Sequence, residues 1–270
     1  LFNFLQNNHY MSNSLVILLS DHGEALYYSG SRLTNYNNYQ GSLPSRLAEY
    51  FKQKTATQLD KSAGHGSDIL SPKQYHNVLA FALYKNGLLT TQARQIKTRV
   101  ALIDIAPTVL AYLNIPSPLK EDGISLLPAI INPKYILPER YFYLESGMCP
   151  NQSFSRKKTL ELGKLFYWVN PDNDELEIKP NALKAINDHK LYGIIQGDWI
   201  FALYPDDKSY IPIIQNLSTG QWSDDFYSRF SKSTPSHKLY AKIRQYYGKQ
   251  LVFSIDETIP NSKAVIHKKN

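Results

Sequence analysis

Asn13-Ser14-Leu15-Val16-Ile17-Leu18-Leu19-Ser20-Asp21-His22-Gly23-Glu24 decides how the chain reads. Five consecutive aliphatics, two of them β-branched, are too few for an independent helix and predict a strand buried on both faces. The run stops at Ser-Asp-His-Gly. A carboxylate and an imidazole therefore stand where the strand emerges at its carboxyl end, the edge at which open α/β sheets bind ligands. Gly23 is expected to let the backbone turn sharply or approach a ligand closely. Asp21 and a neutral His22 offer one hard oxygen and one borderline nitrogen, a donor set suited to a divalent cation. The same residues also read as a turn whose Asp caps the next helix, and so short a pattern does not separate the two readings.

Two segments downstream bear on the choice. Gly64-His65-Gly66-Ser67-Asp68 places a histidine between two glycines, where little side-chain crowding stops the backbone presenting it into a crevice. It is followed by Leu70-Ser-Pro-Lys-Gln-Tyr-His76 and an expected strand from Val78 to Tyr84. Arg99-Val-Ala-Leu-Ile-Asp-Ile-Ala-Pro-Thr-Val-Leu-Ala-Tyr-Leu-Asn-Ile115 then leads to Asp122-Gly-Ile-Ser-Leu-Leu-Pro128. Here Asp104 is placed to cap a helix, Pro107 fits its first turn, and Val109, Leu110 and Leu113 make one apolar face.

In this order the three segments resemble the alkaline phosphatase/sulfatase superfamily. The Ser-Asp-His-Gly-Glu strand end resembles its metal-binding segment, Gly-His-Gly its later histidine, and Asp-Ile-Ala-Pro-Thr with Asp-Gly-x-Ser-Leu-Leu-Pro its scaffold helix and turn. The resemblance implies that Asp21 and His22 are metal ligands. It implies that His65 is a catalytic residue, either a second-metal ligand or a contact to the anionic group being transferred. Lys73 is a candidate substrate contact as a point charge, with Asp68 and His76 nearby. The implied cofactor is a divalent metal, Zn, Mn or Ca. The implied reaction is hydrolysis of a sulfate or phosphate ester. A phosphoethanolamine or glycerophosphate transferase, a phosphodiesterase, or a non-catalytic binding module keeping the fold are the alternatives.

The implied fold is α/β: the carboxyl-terminal half of an alkaline-phosphatase-like three-layer sandwich, with a small antiparallel sheet at the end. Residues 1–138 would form the core part, 139–257 a return strand with the antiparallel subdomain and closing helix, and 258–270 a tail. Leu1, Phe4 and Leu5 have the spacing of a helix leading into the first strand, so a longer protein is expected. The family's nucleophile has no counterpart before Asp21. The partner expected for this half is the upstream half of the same protein, and the chain alone is expected to be inactive. The substrate would be an anionic small molecule, lipid or glycan ester. An extracytoplasmic or periplasmic setting, with membrane anchoring through the upstream part, follows from the resemblance only.

The composition agrees with an ordinary globular chain: 270 residues, 43% hydrophobic, with 13 Gly and 15 Pro. A net charge of +7 favours anionic partners. No Lys/Arg block interleaved with aromatics is present, which argues against nucleic acid. The single Cys149 makes no internal disulfide.

Ser42-Leu43-Pro44-Ser45-Arg46 matches the sulfatase nucleophile motif, in which a Cys or Ser becomes formylglycine. It lies on the wrong side of the Asp-His-Gly strand, and it reads as a helix start with Ser42 near the cap and Pro44 in the first turn, opening a helical pattern from Leu43 to Lys54. Cys149-Pro150-Asn151 fails that motif. Farther on, Arg140 to Glu145 reads as a strand returning to the main sheet. Lys190 to Tyr204 reads as a hairpin turned by Gln196-Gly197-Asp198, Tyr210 to Leu217 as a strand, and Leu239 to Tyr247 as the closing helix. Lys157 to Asp188 has no family counterpart.

Overall fold

The computed structural model describes residues 1–51, 58–148, 155–206 and 209–255. Cys149-Pro150-Asn151 and the tail 258–270 lie outside the described residues. The helices are α1 (Phe2–Asn7), α2 (Arg46–Tyr50), α3 (Ile105–Leu113), α4 (Leu127–Ile131), α5 (Arg156–Phe166), α6 (Leu183–Asp188), α7 (Arg229–Lys232) and α8 (Ser236–Tyr247). The strands are β1 (Asn13–Leu19), β2 (Ala25–Leu26), β3 (Ala63–Gly64), β4 (Leu79–Lys85), β5 (Leu88–Leu89), β6 (Phe142–Met148), β7 (Tyr167–Val169), β8 (Leu176–Ile178), β9 (Lys190–Gln196), β10 (Trp199–Asp206), β11 (Ser209–Asn216), β12 (Trp222–Ser223) and β13 (Ser254–Ile255). This mixed α/β chain divides into two compact units, Leu1–Gly23 with Tyr75–Phe142, and Glu24–Gln74 with Tyr143–Asn270. None of the described helices is long and apolar enough to cross a membrane.

In the first unit β1, β4 and β5 form a three-stranded sheet in that order, with β1 antiparallel to β4 from Asn13↔Lys85 to Leu19↔Leu79. β1 is a strand, but it is not buried on both faces. Leu18 is 61% and Leu19 47% exposed. An apolar run shows what a strand could bury, not how many neighbours cover it, and β1 is an edge strand with one partner in its sheet.

The Asp-Ile-Ala-Pro-Thr helix and the Asp-Gly turn are joined through Asp104. Its side chain does not cap α3 as expected. Fully buried, it accepts the Ala101 N–H at 2.8 Å and the Ile124 N–H at 3.0 Å and pairs with Arg140. Thr108 adds a second tie: its hydroxyl donates to the Asp104 carbonyl and accepts the Leu126 N–H, at 2.6 and 2.8 Å. The buried face of α3 is thus Pro107 and Thr108, while Val109 and Leu110 are half-buried and Leu113 is exposed. Gly123 is required because a Cβ there would lie 2.1 Å from the Ile103 carbonyl oxygen. Leu126, Ala129 and Leu137 then make a small core with Leu79, Phe81 and Val100.

The second unit is built on a sheet in the order β12-β11-β10-β9-β6, with β13 parallel to β11. β9 and β10 form the expected hairpin, Gln196 facing Trp199 across Gly197-Asp198. Gly197 takes a positive φ of 52°, which a residue without Cβ adopts at little cost. The interiors of β9, β10 and β11 are buried throughout, as strands covered on both faces should be. α8 lays Leu239, Ile243 and Tyr247 inward, and each fully buried aliphatic contributes about 1.5–3 kcal/mol. β6 is the strand expected near Arg140 to Glu145, yet it joins β9 rather than the sheet of β1.

Within segment 24–74 one buried ion pair ties the chain to itself, and Tyr204, Gln215 and Trp222 of the sheet bond to the segment. Arg32 Nε donates to Asp68 Oδ2 at 2.7 Å, and a second guanidinium nitrogen reaches the same oxygen. Ser62 Oγ donates to Oδ2 at 2.8 Å, while Tyr204 Oη on β10 and the Leu70 N–H donate to Oδ1. The guanidinium also lies 4.2 Å from the Phe51 ring centroid. Burial opposes ionisation of Asp68, but the Arg32 charge and the converging donors outweigh it and hold the carboxyl below its ordinary value.

A depressed folded value means a stabilising contribution that is complete above about pH 4 and lost as the pH falls toward the folded value. Replacing Arg32 with Met should strand a buried carboxylate and cost about 3–5 kcal/mol in denaturant unfolding. A loss under about 1 kcal/mol, the range of a surface pair, would contradict this role.

Candidate functional site

In the first unit the end of β1 is held by Asn77. Its side-chain amide donates to the Ser20 carbonyl at 3.0 Å and the Asp21 carbonyl at 2.6 Å, while the Val78 N–H donates to Ser20 Oγ at 2.9 Å. With the backbone fixed, Asp21 Oδ1 accepts the His22 N–H at 2.9 Å. His22 Nδ1 lies 2.8 Å from the Gly23 carbonyl, an acceptor only, so Nδ1 carries the proton. Nε2 lies 3.6 Å from Asp21 Oδ2. Two donors each bound at ~2.0–2.2 Å to one tetrahedral cation sit about 3.4 Å apart, so the spacing suits a shared ion. Gly23 is not among the glycines of positive φ, and its carbonyl orients His22.

In the second unit β2 and β3 form a short antiparallel ladder, Ala25 opposite Gly64, and both strands run into the candidate residues. Gly64 and Gly66 have φ of +79° and +64°, so each is strained as any other residue and the loop presents His65 between them. His65 Nδ1 lies 2.7 Å from Glu24 Oε2, and both side chains are about half-exposed.

The base of the loop is rigid. The buried Gln74 accepts the N–H groups of Ser67 and Asp68 at 3.0 and 3.1 Å and donates to Ser62 Oγ and the Ala63 carbonyl. From the other side the Gly147 N–H on β6 donates to the Gly66 carbonyl at 3.1 Å. A metal-bound imidazole commonly gives its second nitrogen to a carboxylate or carbonyl, and both His22 and His65 have Nδ1 so engaged.

Other sequence candidates fall differently. Asp68 is no ligand candidate, since both carboxylate oxygens are consumed in the buried network. Lys73 is exposed on the 3-10 turn Pro72–Gln74. His76 is exposed as well.

The cap of α2 is Ser45, whose hydroxyl accepts the Ala48 N–H at 3.1 Å, and not Ser42. Ser42 Oγ instead donates to Asp225 at 2.5 Å, while Arg46 pairs with Asp206 at 3.1 Å. Neither points to nucleophile chemistry. Sequence reasoning gave no role to Glu24, Gln74 or Asn77. Glu24 lay inside the quoted strand-end segment, but Asn77 and Gln74 act through contacts that no local pattern announces.

No family model matches the chain, and no curated protein does. Among solved structures it is similar to a phosphonate monoester hydrolase from Silicibacter pomeroyi, at 13% identity and a TM-score of 0.46 over 93% of this chain. It is also similar to a protein solved in complex with its substrate D-glucosamine-2-N,6-O-disulfate, at 15% identity and a TM-score of 0.43. The chain spans 37% of the length of each.

Replacing Ser42 with Ala should leave the activity of the full-length protein within about twofold, because its hydroxyl serves only an exposed hydrogen bond to Asp225. An inactive Ser42→Ala protein with an unchanged circular dichroism spectrum would restore the nucleophile reading.

Proposed function

We propose that this chain carries cation-holding residues of a metal-dependent hydrolase of sulfate or phosphate esters, the nucleophile coming from another part of the full-length protein. The observation that carries the reading is the state of the two imidazoles. His22 and His65 each have Nδ1 against an oxygen, which makes Nε2 the atom for coordination. Asp21 and His22 are proposed as cation ligands. His65, oriented by the Glu24 carboxylate, is proposed as a ligand or as the contact to the anionic group in transfer.

When bound, a divalent cation would supply Lewis-acid stabilisation of charge on the ester's non-bridging oxygens. The protein's own part is to hold the ligands in place. Asn77 fixes the backbone before His22, and the buried Asp68 and Gln74 fix the loop on either side of His65. A donor set of carboxylate and imidazole suits Zn or Mn better than Ca, which prefers oxygen alone. The net charge of +7 draws an anionic ester toward the protein. The transferase, phosphodiesterase and binding-module readings share the fold, and no observation in the structure favours one of them.

The test is metal content and hydrolysis in the full-length protein. Asp21→Ala and His22→Ala should lower bound Zn or Mn in elemental analysis to below about a tenth of the parent value, with thermal unfolding little changed, since both side chains are exposed. Hydrolysis of aryl sulfate or aryl phosphate should fall in parallel. Full metal content in both variants would reject the ligand assignment.

A further inference from the structure

The excursion from α5 through β8, which the proposed function does not use, carries an uncovered apolar face. β7 and β8 pair antiparallel with Tyr167 opposite Ile178, Trp168 opposite Glu177 and Val169 opposite Leu176. Alternation then puts Tyr167, Ile178, Val169 and Leu176 together on one side of the ribbon and Trp168 with Glu177 on the other. All four residues of the apolar side are exposed, at 39, 38, 57 and 68% respectively. A two-stranded ribbon is marginal by itself and gains most from covering such a face.

The charges along the ribbon run in one direction. Its tip, Pro171 to Glu175, carries the exposed carboxylates of Asp172, Asp174 and Glu175. Its root is cationic: Lys164 lies in the last turn of α5, and Lys179 follows β8 and donates from Nζ to the Lys164 carbonyl at 2.6 Å. A strand of three residues spans only about 10 Å, so root and tip act on the same small surface.

We propose that this ribbon docks against the same ribbon of a second copy, face to face and antiparallel. A two-fold axis across the ribbon sets each acidic tip over the other copy's basic root and each Tyr167/Ile178 pair over a Val169/Leu176 pair, an isologous contact that satisfies itself. The acidic tip disfavours the other apolar environment at hand, an anionic membrane surface, which would repel three carboxylates. Four side chains make a small interface, so the association is transient rather than obligate.

Sedimentation velocity of the full-length protein over a concentration series tests this. The parent should form a dimer that weakens with added salt, and Val169→Lys should be monomeric with an unchanged circular dichroism spectrum. Asp172→Lys and Lys164→Glu should each weaken dimerisation about three- to tenfold, because each contact occurs twice, and an equimolar mixture of the two should recover association. A parent monomeric throughout, a dimer indifferent to Val169→Lys, or a mixture no tighter than its components would each overturn the proposal. A monomer that floats with phosphatidylserine vesicles and loses this with Val169→Lys would overturn it in favour of a lipid-binding face.

Discussion

The buried pairing of Arg32 with Asp68 is the constraint on which the second unit depends. Neither charge is exposed, and the cost of removing both from water is met only because every donor and acceptor around them is arranged to fit. The guanidinium reaches Asp68 and the Leu59 carbonyl, and the carboxylate collects donors from Ser62, Leu70 and Tyr204. Segment 24–74 has little regular structure, with β2, β3 and the short α2 as its only described strands and α-helix. Polar ties therefore act beside the buried side chains of Leu47, Phe51, Leu59, Ile69 and Leu70. A loop held this way keeps its shape up to the residue beside the tie, and His65 stands three positions before Asp68.

Stiffness at the base and freedom at the tip form a useful combination for a histidine that must meet a ligand. Gln74 and the Gly147 N–H fix the backbone on both sides of the loop, while Gly64 and Gly66 leave the imidazole uncrowded. Glu24 sets the ring's orientation through Nδ1. The first unit reaches a similar result by another route. There an asparagine amide grips two successive carbonyls and a backbone oxygen sets the His22 ring. For His22 the orienting carbonyl belongs to the next residue, whereas for His65 the orienting carboxylate comes from Glu24, 41 residues earlier in the chain.

Legibility in the sequence followed the range of the interactions. The β9–β10 hairpin and α8 could be read because turn chemistry and helical period are local. The Asp122-Gly123 turn was also visible, though its reason, the close approach to the Ile103 carbonyl, was not. What failed depended on tertiary neighbours. The aliphatic run of β1 announced burial that an edge strand does not receive. Asp104 was read as a cap of α3, but it closes the 3-10 turn before that helix by accepting the Ala101 N–H, and its other partners Ile124 and Arg140 are 20 and 36 residues away. Ser42 and Ser45 compete for one helix start, and Asp224 decides between them by accepting both the Ser45 hydroxyl and the Leu47 N–H. The candidate residues were legible as Asp21, His22 and His65. Their supports, Glu24, Gln74 and Asn77, were not.

The central claim is that His22 and His65 are coordinating residues and not merely surface histidines. The chain has seven histidines, so the protein contains its own controls. Titration with Mn²⁺ while the imidazole resonances are followed by NMR tests the claim directly, because a paramagnetic ion broadens the rings it meets. The account predicts that the signals of His22 and His65 broaden and vanish at substoichiometric Mn²⁺ while those of His76, His189 and His237 persist. Uniform broadening of all the rings, or selective loss at any other histidine with these two intact, would contradict it.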